Sequence, residues 1–401
     1  MAKQTVRDID VNGKRVLVRV DFNVPLDEEG AILDDLRIRE ALPTIQYLRE
    51  RRAKVILCSH LGRPKGKVVE SLRLAPIGRR LSELLLSGPV LVGPDCLDPL
   101  TEAAVARMRG GDLLLLENLR FHPEEEANDP EFARRLAAYA DVFVNDAFGT
   151  AHRAHASTEG VTRYLPAVAG LLMEKEIAYL SRVVAQPERP LGAVIGGAKV
   201  SDKMGALRNL LSKADVLVIG GGMANTFLKA KGCSVGDSLA EDDQLDAATT
   251  IMKEAEERGV RLLLPVDVVV ADRFAADARA RTVAADQVPD GWRIIDVGPR
   301  SVAAYGEALQ GCRTVVWNGP LGVAEFPQFA RGSQSLARIL ADLDAVTIVG
   351  GGETAALVQE AGLADKFDHV STGGGAFLEF LEGRELPGVA ALRDKGLGAS
   401  N

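Results

Sequence analysis

The stretch AVIGGAKVSDK (193–203) ends an apolar run on two glycines and then sets two lysines, Lys199 and Lys203, four residues apart. Were a helix to start at the glycines, that spacing would stack both ammonium groups on one face, one turn apart. Two cations aimed at one point beside glycine backbone suit a phosphate chain. The plainer reading is a turn leading into a solvated helix. No stretch matches G-x-x-x-x-G-K-[ST] or G-x-G-x-x-G, so the choice rests on what accompanies the lysines. Elsewhere, His60, His122, His152 and His155 each lie within three residues of Arg63, Arg120 or Arg153. Zinc is the alternative for four histidines, but their spacing lacks paired ligands and a guanidinium beside a metal is repulsive. Three arginines in such company read better as a cage for phosphate or carboxylate, which guanidinium grips with two parallel bonds. Asp21 and Asn23 would hold hydroxyl groups of the same small molecule.

The elements that must position these residues are legible as short apolar runs separated by segments of helical period. In the first half the runs are RVLVRV (15–20), KVILC (54–58), PVLV (89–92), DLLLL (112–116) and DVFV (141–144). In the second half they are LGAVI (191–195), DVLVI (215–219), VRLLL (260–264), RTVVW (313–317) and AVTIV (345–349). Continuous Val/Ile/Leu character predicts strands buried on both faces. Amphipathic stretches such as 41–52, 131–140 and 329–343 fall between them, the alternation of parallel α/β units. The fold class expected is α/β, with two doubly wound, Rossmann-like parallel-sheet domains joined by a helical hinge. The boundaries read as 1–170, a hinge helix at 171–186, 187–378, and a C-terminal segment at 379–401 that packs back towards the first domain and ends in a disordered tail.

Open parallel sheets bind ligands beyond the carboxyl ends of their strands. In the first half those exits carry DFN (21–23), SHLGR (59–63), ENLRFH (117–122) and NDAFGTAHRAH (145–155). In the second they carry GGAK (196–199), GGGMAN (220–225), NGPLG (318–322), GGGET (350–354) and STGGG (371–375). One domain offers Arg, His, Asp and Asn; the other offers bare backbone. A single glycine pair could be a tight turn, but five glycine-bearing exits let backbone N–H groups and helix N-termini approach phosphate closely. That is a nucleotide surface, and the two lysines lie on it.

A chain of 401 residues exceeds what one core usually fills. Net charge is −8, with 24 Lys+Arg against 25 Asp+Glu in residues 1–170, so there is no broad basic surface for nucleic acid. No apolar run reaches the ~20 residues of a membrane helix. The polar start MAKQTVRDIDVNGK and four scattered cysteines fit a cytoplasmic protein with free thiols. A monomer is expected.

These residues resemble the phosphoglycerate kinase family, whose motifs appear in order as RVDFNVP (19–25), SHLGRPKG (59–66), ENLRF (117–121), AHRAHAS (151–157), GGAKVSDK (196–203), GGGMANTFL (220–228), WNGPLGVAEF (317–326), GGGETAA (350–356) and STGGGAFLEFLEG (371–383). The resemblance implies a hinge-bending glycolytic enzyme that moves the acyl phosphate of 1,3-bisphosphoglycerate to Mg-ADP, reversibly. It implies a 3-phosphoglycerate site of Asp21, Phe22, Asn23, Arg37, His60, Leu61, Gly62, Arg63, Arg120 and Arg153. It implies nucleotide contacts from Gly197, Lys203, Gly221, Asn318, Glu325, Gly351, Gly352, Glu353 and Thr354. Lys199 and Arg37, with the N–H groups of Gly373, Gly374 and Gly375 opening the last helix, would stabilise the moving phosphoryl group. Three departures stand out. Glu353 occupies the position of a usual Mg-coordinating aspartate, Phe377 that of a small serine, and the tail RDKGLGASN (393–401) runs past the usual end. Glu353 is one methylene longer, so the turn must retreat, a water must bridge to the metal, or the side chain merely caps a helix. A nicotinamide dehydrogenase and a non-catalytic nucleotide sensor remain the competing readings.

Overall fold

Branched aliphatic runs with no polar face become strands covered on both sides. The structure is a computed structural model describing residues 2–86 and 90–396, and the chain divides into two units, Met1–Ile177 with Glu385–Asn401, and Ala178–Arg384. The division falls inside the helix Leu171–Val184.

Unit 1 carries β1 (Arg15–Arg19), β2 (Lys54–Cys58), β3 (Leu91–Val92), β4 (Leu113–Leu115), β5 (Val142–Asn145) and β6 (Ala167–Ala169), ordered β3-β4-β2-β1-β5-β6 and parallel throughout. Register decides where the exits fall. Arg19 pairs with both Cys58 and Asn145, so Asp21, Ser59 and Asp146 leave the sheet nearly side by side.

Unit 2 carries β7 (Leu191–Ile195), β8 (Val216–Ile219), β9 (Arg261–Leu263), β10 (Asp267–Ala271), β11 (Ala280–Ala284), β12 (Arg293–Val297), β13 (Thr314–Asn318), β14 (Val346–Gly350) and β15 (His369–Val370). Six form a parallel sheet ordered β15-β14-β13-β7-β8-β9, so the sheet is doubly wound and reverses direction between β13 and β7. Asn318 pairs with Ile195 and Gly350, which levels the exits of these three strands. The other three strands, β11-β10-β12, form an antiparallel sheet that the apolar runs did not announce. Its strand β11 is mostly exposed, so it lacks the continuous apolar character of its parallel neighbours.

The segment after Arg393 differs in part from the disordered tail expected. Arg393 N–H donates to Ala167 O at 3.0 Å, Gln4 N–H to Arg393 O at 2.8 Å, and Lys395 N–H to Ala2 O at 2.8 Å. Residues 397–401 lie outside the described residues, as does Pro89 of the run 89–92.

Candidate active site

In unit 1 the site is founded on a buried cation. Arg19 closes β1 with no exposed surface, and its Nε donates to Ser157 Oγ at 2.8 Å. Its Nη2 lies 3.2 Å from His60 Nδ1, and Nη1 donates to the Val20 carbonyl. Ser157 Oγ in turn donates to Glu125 Oε1 at 2.5 Å, so a buried carboxylate balances the buried guanidinium. On this base stand the residues picked from the sequence. Arg37 Nη1 donates to Asp21 Oδ2 at 2.7 Å, Gly62 N–H to Asn23 Oδ1 at 2.8 Å, and Arg120 Nη1 to Gly62 O at 3.0 Å. Arg153 Nε donates to His152 Nε2 at 3.1 Å, and Arg63 is exposed. Phe22 and Leu61 belong to the apolar core of this unit, so only their backbone is available to a ligand.

The charges around His60 define what the pocket wants. Burial, then the cations of Arg19, Arg120, Arg37 and Arg153, hold its pKa well below the usual 6.5. His155 is pushed down to about 3 by burial and by Arg120, Arg19 and Arg153. Both rings are neutral near pH 7, chiefly through burial, and the surrounding arginine charges that add to the effect suit an anion. His122 has another partner, Asp95 at 2.8 Å, so the four histidines do not gather round one point.

In unit 2 the surface is made by backbone meeting backbone. A Cβ on Gly196 would stand 2.2 Å from Pro320 O, and one on Gly221 would stand 2.6 Å from both N and O of Gly197. Gly197 and Gly221 also hold φ at +116° and +68°, where side chains are strained. Beside these turns lies a cavity of about 290 Å³ whose lining includes Gly197, Gly221, Asn225, Leu321, Glu325 and Glu353. Lys203 Nζ donates to Asn318 Oδ1, Asn318 Nδ2 donates to Gly350 O at 2.9 Å, and Gly319 N–H donates to Thr354 Oγ1 at 2.8 Å. Burial lowers the Lys203 pKa, with Glu353, Asp202 and Glu382 opposing.

The two lysines do not stack on a helix. A short turn at Ser201–Lys203 and the helix Met204–Leu211 start beyond Lys199, which is exposed on the preceding loop. Glu241 meets the start of this turn: its Oε2 accepts from Val200 N–H at 2.6 Å and Ser201 N–H at 3.1 Å, satisfying N–H groups that a helix start leaves free. Glu353 sits in the first turn of the helix Gly352–Glu360, exposed, and no side chain caps that helix at Gly351. Gly374, at φ +52°, precedes the helix Gly375–Leu381, which is followed by a further short helix, Pro387–Ala390, and so is not the last. Phe377 is fully buried, and a Cβ on Gly350 would meet its ring at 2.4 Å, so the larger residue fits because β14 ends in glycine.

The sequence reading passed over Arg19, Glu125, Ser157 and Glu241 as supports. An arginine inside the apolar run RVLVR was the available signal, because a charge between two covered faces requires a partner.

A sequence profile described as phosphoglycerate kinase matches residues 6–384. The phosphoglycerate kinase of Pelotomaculum thermopropionicum is 62% identical over 395 residues, covering 98% of this chain and all of the relative. That of Synechococcus elongatus is 60% identical over 401 residues, with 98% of this chain and all of the relative covered. Among solved structures, phosphoglycerate kinase from Coxiella burnetii superposes with a TM-score of 0.87 at 45% identity, over 97% of this chain and 98% of that one. With its motifs, its two parallel sheets and its strand exits agreeing along nearly the whole length, the chain belongs to the phosphoglycerate kinase family.

Proposed function

We propose that the family's reversible phosphoryl transfer, from 1,3-bisphosphoglycerate to ADP, is divided in this chain between a triose-holding unit 1 and a nucleotide-holding unit 2. The observation that carries this reading is the contrast at the strand exits, arginines around neutral histidine in one unit and closely approached glycine backbone in the other. Asp21 and Asn23 hold hydroxyls, while Arg37, Arg63, Arg120 and Arg153 hold the carboxylate and phosphate of 3-phosphoglycerate. His60 serves as a neutral hydrogen-bonding ring, and the backbone of Phe22, Leu61 and Gly62 lines the same pocket. Gly197, Gly221, Gly351, Gly352, Lys203, Asn318 and Thr354 receive the phosphates, and Glu325, on the cavity wall, receives the ribose.

The acceptor in the ATP-consuming direction is a carboxylate, ionised at pH 7, so no general base is required. Catalysis then rests on alignment and on charge placed around the moving group. Lys199, which is exposed, and Arg37 supply cations, and the N–H groups of Gly373, Gly374 and Gly375 supply donors. Chemistry requires the two units to be brought together with both substrates bound, in a monomeric cytoplasmic chain. Neither a dehydrogenase nor a sensor needs this set of cations. A coupled assay of ATP formation from 1,3-bisphosphoglycerate tests the reading, and absence of turnover with both substrates saturating overturns it.

Magnesium fits the oxygen donors here. Glu353 is exposed, lies on the cavity wall, and stands in the first turn of its helix. When bound there, the ion would neutralise nucleotide phosphate charge. Glu353→Gln is expected to raise the Mg concentration giving half-maximal rate several-fold, while metal-free ADP binds as before. Superimposable Mg titrations of initial rate for the two proteins would remove Glu353 from this role.

A further inference from the structure

Apart from these two surfaces, the described residues contain one grouping of metal-type ligands, Asp95, Cys96 and His122. One ligand atom from each lies within 4.8 Å of the others, and His122 Nε2 is 2.8 Å from Asp95 Oδ1. The sheet brings them together. Asp95 and Cys96 follow β3, His122 follows β4 and its exit turn Leu119–Phe121, and the two strands are parallel neighbours with Val92 opposite Leu115.

The loop after β3 is held firmly. Thr101 Oγ1 donates to Asp95 O at 2.7 Å, and Leu97 N–H donates to Asp95 Oδ1 at 3.1 Å. Burial is graded across the trio. Cys96 is wholly buried, whereas the side chains of His122 and Asp95 are 30% and 34% exposed, so the group meets solvent on the His122 and Asp95 side with Cys96 innermost. The His122 ring is also fixed against Phe132, with centroids 5.4 Å apart.

We propose that Asp95, Cys96 and His122 form a binding site for a borderline-soft divalent cation of the zinc class, with solvent completing the coordination. One sulfur, one nitrogen and one oxygen are the donors such an ion accepts at ~2.0–2.3 Å. Tetrahedral bonds of that length place ligand atoms about 3.3–3.7 Å apart, so the Asp95–His122 pair has to open by roughly half an ångström. Mg²⁺ is excluded by the same donors, since it demands oxygen and octahedral geometry. Binding sends the thiol proton to solvent and requires His122 Nε2 to be free of its proton, which leaves to solvent from an imidazolium or moves to Nδ1 in a neutral ring. In the metal-free protein the ion pair keeps two of the donors aimed at one another. This site uses none of the residues assigned to substrate or nucleotide, so it stands or falls independently of the proposed function.

The test is titration of the reduced full-length protein with Co²⁺, then Zn²⁺, in excess Mg²⁺. Expected are saturation at one Co²⁺ per chain, a cobalt–thiolate charge-transfer band, and loss of that band as Zn²⁺ displaces Co²⁺. Cys96→Ser is expected to abolish the band while Cys58, Cys233 and Cys312 remain. His122→Gln is expected to weaken binding by more than ~10-fold, the least that losing even an outer-shell partner costs. If Cys96→Ser fails to fold, His122→Gln at its partly exposed position carries the decision. No saturable band, a band that survives Cys96→Ser, unweakened binding in His122→Gln, or full competition by Mg²⁺ would each overturn the site.

Discussion

In the function proposed above, the two units meet the same problem, holding an anion at the end of a parallel sheet, with opposite materials. Unit 1 uses side chains, several of them held by others: Arg37 by Asp21, and Arg19 by Ser157 with Glu125 behind it. Unit 2 uses the absence of side chains, with glycine turns so close that a single added carbon would overlap neighbouring backbone at Gly196, Gly221 and Gly319. A site of the first kind is damaged by removing atoms, and a site of the second kind by adding them. Lys199 belongs to neither pattern, because it is an exposed cation on the backbone-built side.

That exception makes the largest prediction. Lys199→Ala is expected to lower turnover by at least ~100-fold, the scale of one lost transition-state donor, with ADP affinity little changed because Lys203 and the glycine turns remain. Turnover within about threefold of the parent would return Lys199 to the solvated surface. Next comes Gly221→Ala, which places a methyl group 2.6 Å from Gly197 backbone. Relieving that overlap shifts the Gly197 and Gly221 turns away from the positions that meet phosphate, which should weaken ADP binding by roughly 10-fold or more and leave 3-phosphoglycerate binding alone. Calorimetric titration with each ligand checks this, and equal losses for both would erase the contrast between the units. Arg63→Ala is the mirror case. Its side chain is exposed, so stability should hold, while the KM for 3-phosphoglycerate rises about 10-fold, the worth of one charge-assisted hydrogen bond. A shift in the KM for ADP instead would count against the division of labour.

The smallest effect is on pH dependence. Asp296 accepts from Val297 N–H at 2.8 Å and Gly332 N–H at 2.9 Å, yet burial lifts its pKa to about 7. The unfolded chain releases this proton near pH ~3.9. Between these values the folded state binds more protons, so the stability contributed by Asp296 falls as pH rises from about 4 to 7. Trp292 and Trp317 both lie in unit 2, so tryptophan fluorescence follows its unfolding. The unfolding free energy from urea titration should be higher at pH 6 than at pH 8, by at most ~1.4 kcal/mol, one pKa unit's worth, and Asp296→Asn should flatten that slope. An unchanged slope would exclude the carboxyl. In unit 1, His60 and His155 carry the opposite sign. Both fold neutral, so their contribution is present above pH ~6.5 and is lost as pH falls below it.

Legibility followed burial on both faces. Runs such as KVILC and LGAVI were readable as strands because covered parallel strands carry continuous branched aliphatics. The strand β6, Ala-Val-Ala, and β15, His-Val, are too short and too plain to stand out from their surroundings. In the sheet β11-β10-β12, β11 was hidden because it faces solvent along most of its length, whereas the run DVVVA of β10 is covered like the parallel strands and was passed over. Residues at strand exits were legible for a related reason, since polar or glycine clusters directly after apolar runs mark the ligand side of such sheets. Supports reached through long-range contacts were not. Glu125 lies 32 residues from Ser157, and Glu241 lies 41 from Val200, separations that no local pattern encodes.

The return of the chain to unit 1 has a consequence for how the protein is made. Gly388 N–H donates to Ala151 O at 2.8 Å, Asn145 Nδ2 donates to Gly388 O at 3.0 Å, and Arg393 bridges Gln4 and Ala167. On the ribosome, every residue of Ala178–Arg384 is translated before these partners appear. Domains fold as units while synthesis proceeds, N-terminal first when nothing prevents it. Here something does: the early sheet must wait with Asn145, Ala151 and Ala167 unmatched, while the second sheet has its whole sequence in hand. The unit begun first is the unit completed last.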